Sequence, residues 1–125
     1  MKVACIQLSS GENYLKNFTS VTKYIHKAIK NKSDLIITPE TTSIITSNKK
    51  ILYANTYTMQ KDPLVKEIRN ISIKFKKWIL IGSLPIKDGK KFRNRSIMIA
   101  PNGKIIKYYD KISMFDVKLT KKETH

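Results

Sequence analysis

Three short apolar runs limit what this chain can fold into: Val3 to Leu8, Asp34 to Thr38, and Ile79-Leu80-Ile81-Gly82. Each is rich in β-branched residues and nearly continuous in hydrophobicity, as expected for strands covered by other layers rather than half-solvated ones. The segments between them change period. From Tyr14 to Lys30, apolar residues fall at Leu15, Phe18, Val21, Ile25, Ala28 and Ile29, the spacing of a helix with one buried stripe. A second helix is announced by Asp62 as N-cap and Pro63 at the first helical position, followed by Leu64, Ile68, Ile71, Phe75 and Trp78. The polar stretch from Thr41 to Lys61 reads as a loop with room for one short helix. After a turn at Asp88-Gly89, two strands run from Arg95 to Ala100 and from Lys104 to Tyr109, joined by the hairpin signal Pro101-Asn102-Gly103. The order β-α-β-α-β-β-β predicts one α/β domain with helices packed on a sheet. No internal repeat, low-complexity segment or domain boundary interrupts it.

In open α/β sheets, ligands collect beyond the carboxyl ends of the strands. Glu40, in Ile36-Ile37-Thr38-Pro39-Glu40, stands immediately past the second strand, and Lys111, in Tyr109-Asp110-Lys111, follows the last. A carboxylate and an ammonium held together can move protons and stabilise an anion. Yet a lone Pro-Glu is ordinarily a solvated loop carboxylate, and Lys111 is one of 22 lysines. From the residues themselves the reading stops at an α/β domain with a candidate acid/base pair.

The net charge of +16 raises the question of nucleic acid. Only Arg69, Arg93 and Arg95 are arginines, the residue whose planar fork suits phosphates and base edges. The lysines are spread from Lys2 to Lys122 with nothing denser than pairs, and they accompany 19 Ile and eight Asn, the signature of AT-rich codon usage. Nucleic acid is therefore not the expected partner, and a non-catalytic basic module binding RNA or an acidic protein is the alternative function. No run of eighteen apolar residues offers a membrane span, and the N-terminus lacks the pattern of a secretory signal. A single Cys excludes an internal disulfide framework, and cytoplasm is the expected compartment.

Several segments, in order, resemble the N-terminal part of the carbon–nitrogen hydrolase (nitrilase) superfamily. They are Ala4-Cys5-Ile6-Gln7-Leu8; Asn17 and Ala28 in the first helix; Ser33 to Glu40; Ile81-Gly82-Ser83; Asn94-Arg95-Ser96; Pro101 to Ile105; and Tyr109-Asp110-Lys111-Ile112-Ser113-Met114-Phe115-Asp116. The wording is similar to the branch of deaminated-glutathione amidases and omega-amidases. The resemblance implies the N-terminal half of an αββα four-layer sandwich, a mixed sheet with helices on one face. It also implies a Glu-Lys-Cys amidase acting on non-peptide C–N bonds of a small amide substrate, with no metal or organic cofactor and dimers or larger homo-oligomers in the full-length form. Glu40 would be the general base, its pKa raised by partial desolvation, and Lys111 the oxyanion stabiliser.

The third member of the triad is not found. The family's Cys follows the Lys by several tens of residues, and the only Cys here is Cys5, inside the first strand, where a core position is expected. Ser113 stands where the family often has His, and Glu123 reads as a solvated terminal residue rather than the family's further Glu. The expectation is a carbon–nitrogen hydrolase domain over 1–125, cut short before the nucleophile and inactive alone.

Overall fold

The computed structural model describes residues 1–8 and 10–111. Five strands form one sheet in the order β1 (Val3–Cys5), β2 (Leu35–Ile37), β3 (Trp78–Asp88), β4 (Lys91–Ile99), β5 (Ile105–Lys111). β1, β2 and β3 run parallel, while β3–β4 and β4–β5 are antiparallel hairpins. The sheet is mixed because helical crossovers make the first two connections and tight turns the last two.

Helix α1 (Tyr14–Lys30) begins where Asn13 accepts a bond from the Lys16 N–H, and ends with Lys27 and Lys30 at its negative pole. A six-residue helix α2 (Lys49–Ala54) occupies the long polar connection. Helix α3 (Pro63–Phe75) is capped by Asp62, whose Oδ1 accepts from the N–H groups of Leu64 and Val65. Asp62 is fully buried, and burial raises its carboxyl pKa above the ordinary 3.8. The Tyr14 hydroxyl also donates to it, and burial together with the neighbouring Asp62 charge pushes that phenol well above its usual range.

Trp78 lies outside α3, although the helical spacing of the sequence includes it. Lys76 turns left-handed at φ 54° and ends the helix, so Trp78 opens β3 instead. β3 also runs six residues past Gly82, through a register shift between Ile81 and Leu84, and β4 starts at Lys91 rather than Arg95. Gly82-Ser83 reads as a strand end but is an irregularity within one strand.

The two faces of the sheet differ. Ile36, Ile79, Ile81, Ile97 and Ile99 are wholly buried and share one core with Val21 and Ile25 of α1 and Leu64 and Ile68 of α3. Each such side chain contributes about 2 kcal/mol by leaving water. The register puts Val3, Leu35 and Trp78 together on the other face, and likewise Cys5, Ile37, Leu80 and Met98. No described residue covers them fully: Val3 is 45% and Trp78 42% exposed. Cys5 is exposed as well, so the expected core position is corrected: alternation along β1 aims its thiol at the open face.

Candidate active site

Glu40 rides on a turn built almost entirely from backbone and small hydroxyls. After β2, the Thr38 N–H donates to the Leu80 carbonyl at 2.9 Å, keeping the chain on β3 for one residue more. The chain then folds back, and the Thr42 N–H donates to the Ser83 carbonyl at 2.8 Å while the Thr41 N–H donates to Ser83 Oγ at 2.8 Å. Thr38 Oγ1 accepts from the Gly82 N–H at 3.1 Å and lies 2.9 Å from Thr42 Oγ1, which donates to the Pro39 carbonyl. Thr38, Thr42 and Ser83 are all buried. Thr41 takes the left-handed conformation at φ 49°, costly for a β-branched residue and sustained here by the surrounding bonds.

Gly82 makes this turn possible. A Cβ there would stand 2.3 Å from the Thr38 carbonyl oxygen and 2.7 Å from that of Pro39. These are rigid backbone atoms, so no other residue fits without moving the turn. The irregularity in β3 and the turn carrying Glu40 are therefore one packing unit. Periodicity alone does not announce this role for Gly82 and Ser83; a Gly-Ser pair inside an apolar strand is the signal that points to it.

Lys111 is the last residue of β5, opposite Asn94 of β4. Its Nζ lies 2.7 Å from Glu40 Oε1, across 71 residues of sequence. The structure thus brings together the two residues that the sequence singled out. The hydrogen bond from Lys111, reinforced by its charge, holds the Glu40 carboxyl below the ordinary 4.5. This corrects the expected rise: the Glu40 side chain is 72% exposed, so desolvation is weak and the partner dominates.

Behind Lys111 stands a second ion pair. The Arg95 guanidinium, 7% exposed, grips Asp110 with Nε–Oδ1 at 2.6 Å and Nη2–Oδ2 at 3.1 Å, and its Cζ lies 4.1 Å from the centre of the Tyr108 ring. This bond holds the Asp110 carboxyl below its ordinary value.

Cys5 is not part of the arrangement. It lies on β1 and Lys111 on β5, the two edges of the sheet, four interstrand spacings or about 19 Å apart. Ser113 and Glu123 lie outside the described residues. Among the described residues no group of three or more His, Cys, Asp or Glu is placed to hold a metal ion, and no helix is long and apolar enough to cross a membrane.

The carbon–nitrogen hydrolase family profile matches residues 2–125. The chain is 30% identical over 118 residues to a deaminated glutathione amidase of Yersinia enterocolitica, covering 92% of this chain and 41% of that protein. It is 31% identical over 124 residues to the omega-amidase NIT3 of Saccharomyces cerevisiae, covering 94% and 43%. The crystal structure of Saccharomyces cerevisiae Nit3, a member of branch 10 of the nitrilase superfamily, superposes with a TM-score of 0.78 at 26% identity, over 93% of this chain and 45% of that one. The NitFhit protein of C. elegans shares the fold at a TM-score of 0.76. The chain spans less than half the length of the curated relatives named here. By its family profile and its fold, the chain belongs to the carbon–nitrogen hydrolases.

Proposed function

We propose that this chain supplies the base and the oxyanion-stabilising cation of an amidase that cleaves small, non-peptide amides by a Glu-Lys-Cys route. The observation that carries the reading is the 2.7 Å contact between Glu40 and Lys111, beyond the carboxyl end of β2 and at the end of β5. Glu40 takes the proton of a cysteine thiol, and the thiolate attacks the amide carbon. Lys111 stabilises the tetrahedral oxyanion. Glu40 returns the proton to the departing nitrogen, releasing ammonia or an amine and leaving a thioester. Glu40 then accepts a proton from the water that cleaves it. In the free pair, Lys111 depresses the basicity of Glu40. A substrate oxygen that draws Lys111 toward itself, in a site closed to water, raises it again.

The thiol of this reading comes from outside residues 1–125, because Cys5 stands at the far edge of the sheet from Lys111. The test measures ammonia release from 2-oxoglutaramate by the purified chain, alone and joined to a Cys-bearing carboxyl-terminal half of a relative. The chain alone is expected to be silent, and the joined protein active in a manner lost on Glu40→Gln or Lys111→Met. Hydrolysis by the chain alone that disappears on Cys5→Ser would overturn the reading.

A further inference from the structure

The strand that carries Lys111 has little in its own burial to fix where it sits. Along β5 (Ile105–Lys111), Ile106 to Tyr109 are exposed and only the ends are half-buried. The strand lies at the edge of the sheet and already contains one register shift against β4, between Met98 and Ile99. Register is specified strongly where a face is buried and weakly where it is not. A one-residue slip would turn Lys111 to the opposite face, and a two-residue slip would carry it about 7 Å along the strand. Either movement breaks a contact of 2.7 Å to Glu40.

We propose that Arg95 is a positioning residue that locks the register of β5 through Asp110 and so places Lys111 on Glu40. Arg95 and Asp110 are directly opposite in the ladder, and Lys111 is the next residue along. Asp110 is the one carboxylate in Ile105–Lys111, so every slip of one or two residues sets Arg95 against Tyr108, Tyr109, Lys111 or Ile112 and forfeits the two-bond fork. Tyr108, two residues back on the same face, packs its ring on the guanidinium at 4.1 Å and adds a second point of registration. A slip of two could offer Asp110 to Arg93 instead. Asp88 Oδ2 lies between the two arginines, 3.6 Å from Arg93 Nε and 3.7 Å from Arg95 Nη2, but the Arg93 side chain is 38% exposed against 7% for Arg95, so the exchanged pair would be the more solvent-screened and the weaker one. The Arg95 side chain is nearly dry, and a planar fork on a carboxylate is sensitive to displacement in a way that a lone lysine would not be.

The catalytic importance of the lock rests on the proposed roles of Glu40 and Lys111, but its test does not. In the 125-residue chain, the Glu40 carboxyl is titrated by carbon NMR and β5 amide exchange is followed in Arg95→Leu, Asp110→Asn and Arg95→Lys. Arg95→Leu and Asp110→Asn are expected to move the Glu40 pKa back up toward the ordinary value and to speed exchange at Tyr109 and Lys111 roughly ten-fold or more, with β2 and β3 still protected. Arg95→Lys, which keeps the charge and loses the fork, is expected to fall between them and the parent. If Arg95→Leu fails to fold, Asp110→Asn, at a side chain 31% exposed, gives the same readout. A Glu40 titration and β4–β5 cross-strand contacts unchanged in Asp110→Asn would overturn the lock. This result is independent of the amide assay, where loss on Glu40→Gln tests the catalytic roles alone.

Discussion

Glu40 and Lys111 meet at 2.7 Å but are held in opposite ways. The Glu40 turn is fixed from inside: main-chain bonds to β3, buried hydroxyls and a glycine with no space for a side chain. Lys111 is fixed from outside, by an edge strand whose alignment depends on Arg95 and its two contacts, Asp110 and the Tyr108 ring. One residue is placed by packing in a well-covered part of the sheet and the other by electrostatics at its rim. The site therefore combines a stiff half and a half that can be realigned at modest cost. Substitutions should separate the two, and the contrast fails if they do not.

The largest effect is expected at Gly82. Gly82→Ala places a methyl 2.3 Å from a backbone oxygen, so the turn or the strand must move. A loss of about 3 kcal/mol in urea unfolding is expected, as for overpacking in a tight interior. A change close to zero would show that the turn is as pliable as the β5 edge and would remove the contrast. Ser83→Ala comes next. It strips the hydroxyl that accepts the Thr41 N–H inside a buried turn, with an expected cost of about 1–2 kcal/mol in the same measurement.

The smallest effects are those of charge, and their signs differ. Glu40 has a depressed folded pKa, so its contribution to stability is present above the ordinary 4.5 and is lost as pH falls through the folded value. With so exposed a side chain that contribution is slight, and Glu40→Gln is expected to leave the urea midpoint nearly unchanged at neutral pH. Asp62 has a raised folded pKa, so the stability it confers is complete below 3.8 and is lost as pH rises through the folded value. Asp62→Asn keeps a capping side chain and is expected to flatten the acid side of the profile, followed as urea midpoints across pH. A flattening by Glu40→Gln equal to that of Asp62→Asn would mean that the exposed pair is more strongly coupled than its surroundings imply.

The same contrast decides what the sequence could show. The bounds of α1 are legible from its apolar spacing alone, although Leu15, which that spacing assigns to the buried stripe, is 73% exposed, and the residues actually buried are Asn17, Val21, Ile25 and Ala28. The start of α3 was equally clear from Asp62-Pro63, but its end was not. Ile71, Phe75 and Trp78 continue a helical spacing, and only the left-handed turn at Lys76 breaks it. Glu40 and Lys111 were visible as residues at strand ends, and the structure joins them. The direction of the Glu40 pKa is not legible, because composition says nothing of how open a site is or which partner reaches it first. The exposure of Cys5 is hidden for a related reason: a near-continuous apolar run implies cover on both faces, and among the described residues only one face has it. Of the support from Gly82, Ser83, Thr38 and Thr42, only the Gly-Ser pair inside an apolar strand leaves a mark on the sequence; its partners do not, since they are reached by bonds from backbone N–H groups to hydroxyls 42 and 44 residues away.

Trp78 is the single tryptophan of the chain and stands 42% exposed at the start of β3, on the apolar face that no described residue fully covers. It is therefore a built-in fluorophore for that face and for no other part of the molecule. Its emission should shift to shorter wavelength when the face is covered, and iodide quenching should then weaken. The protein can thus report, without a label, each time that surface leaves water.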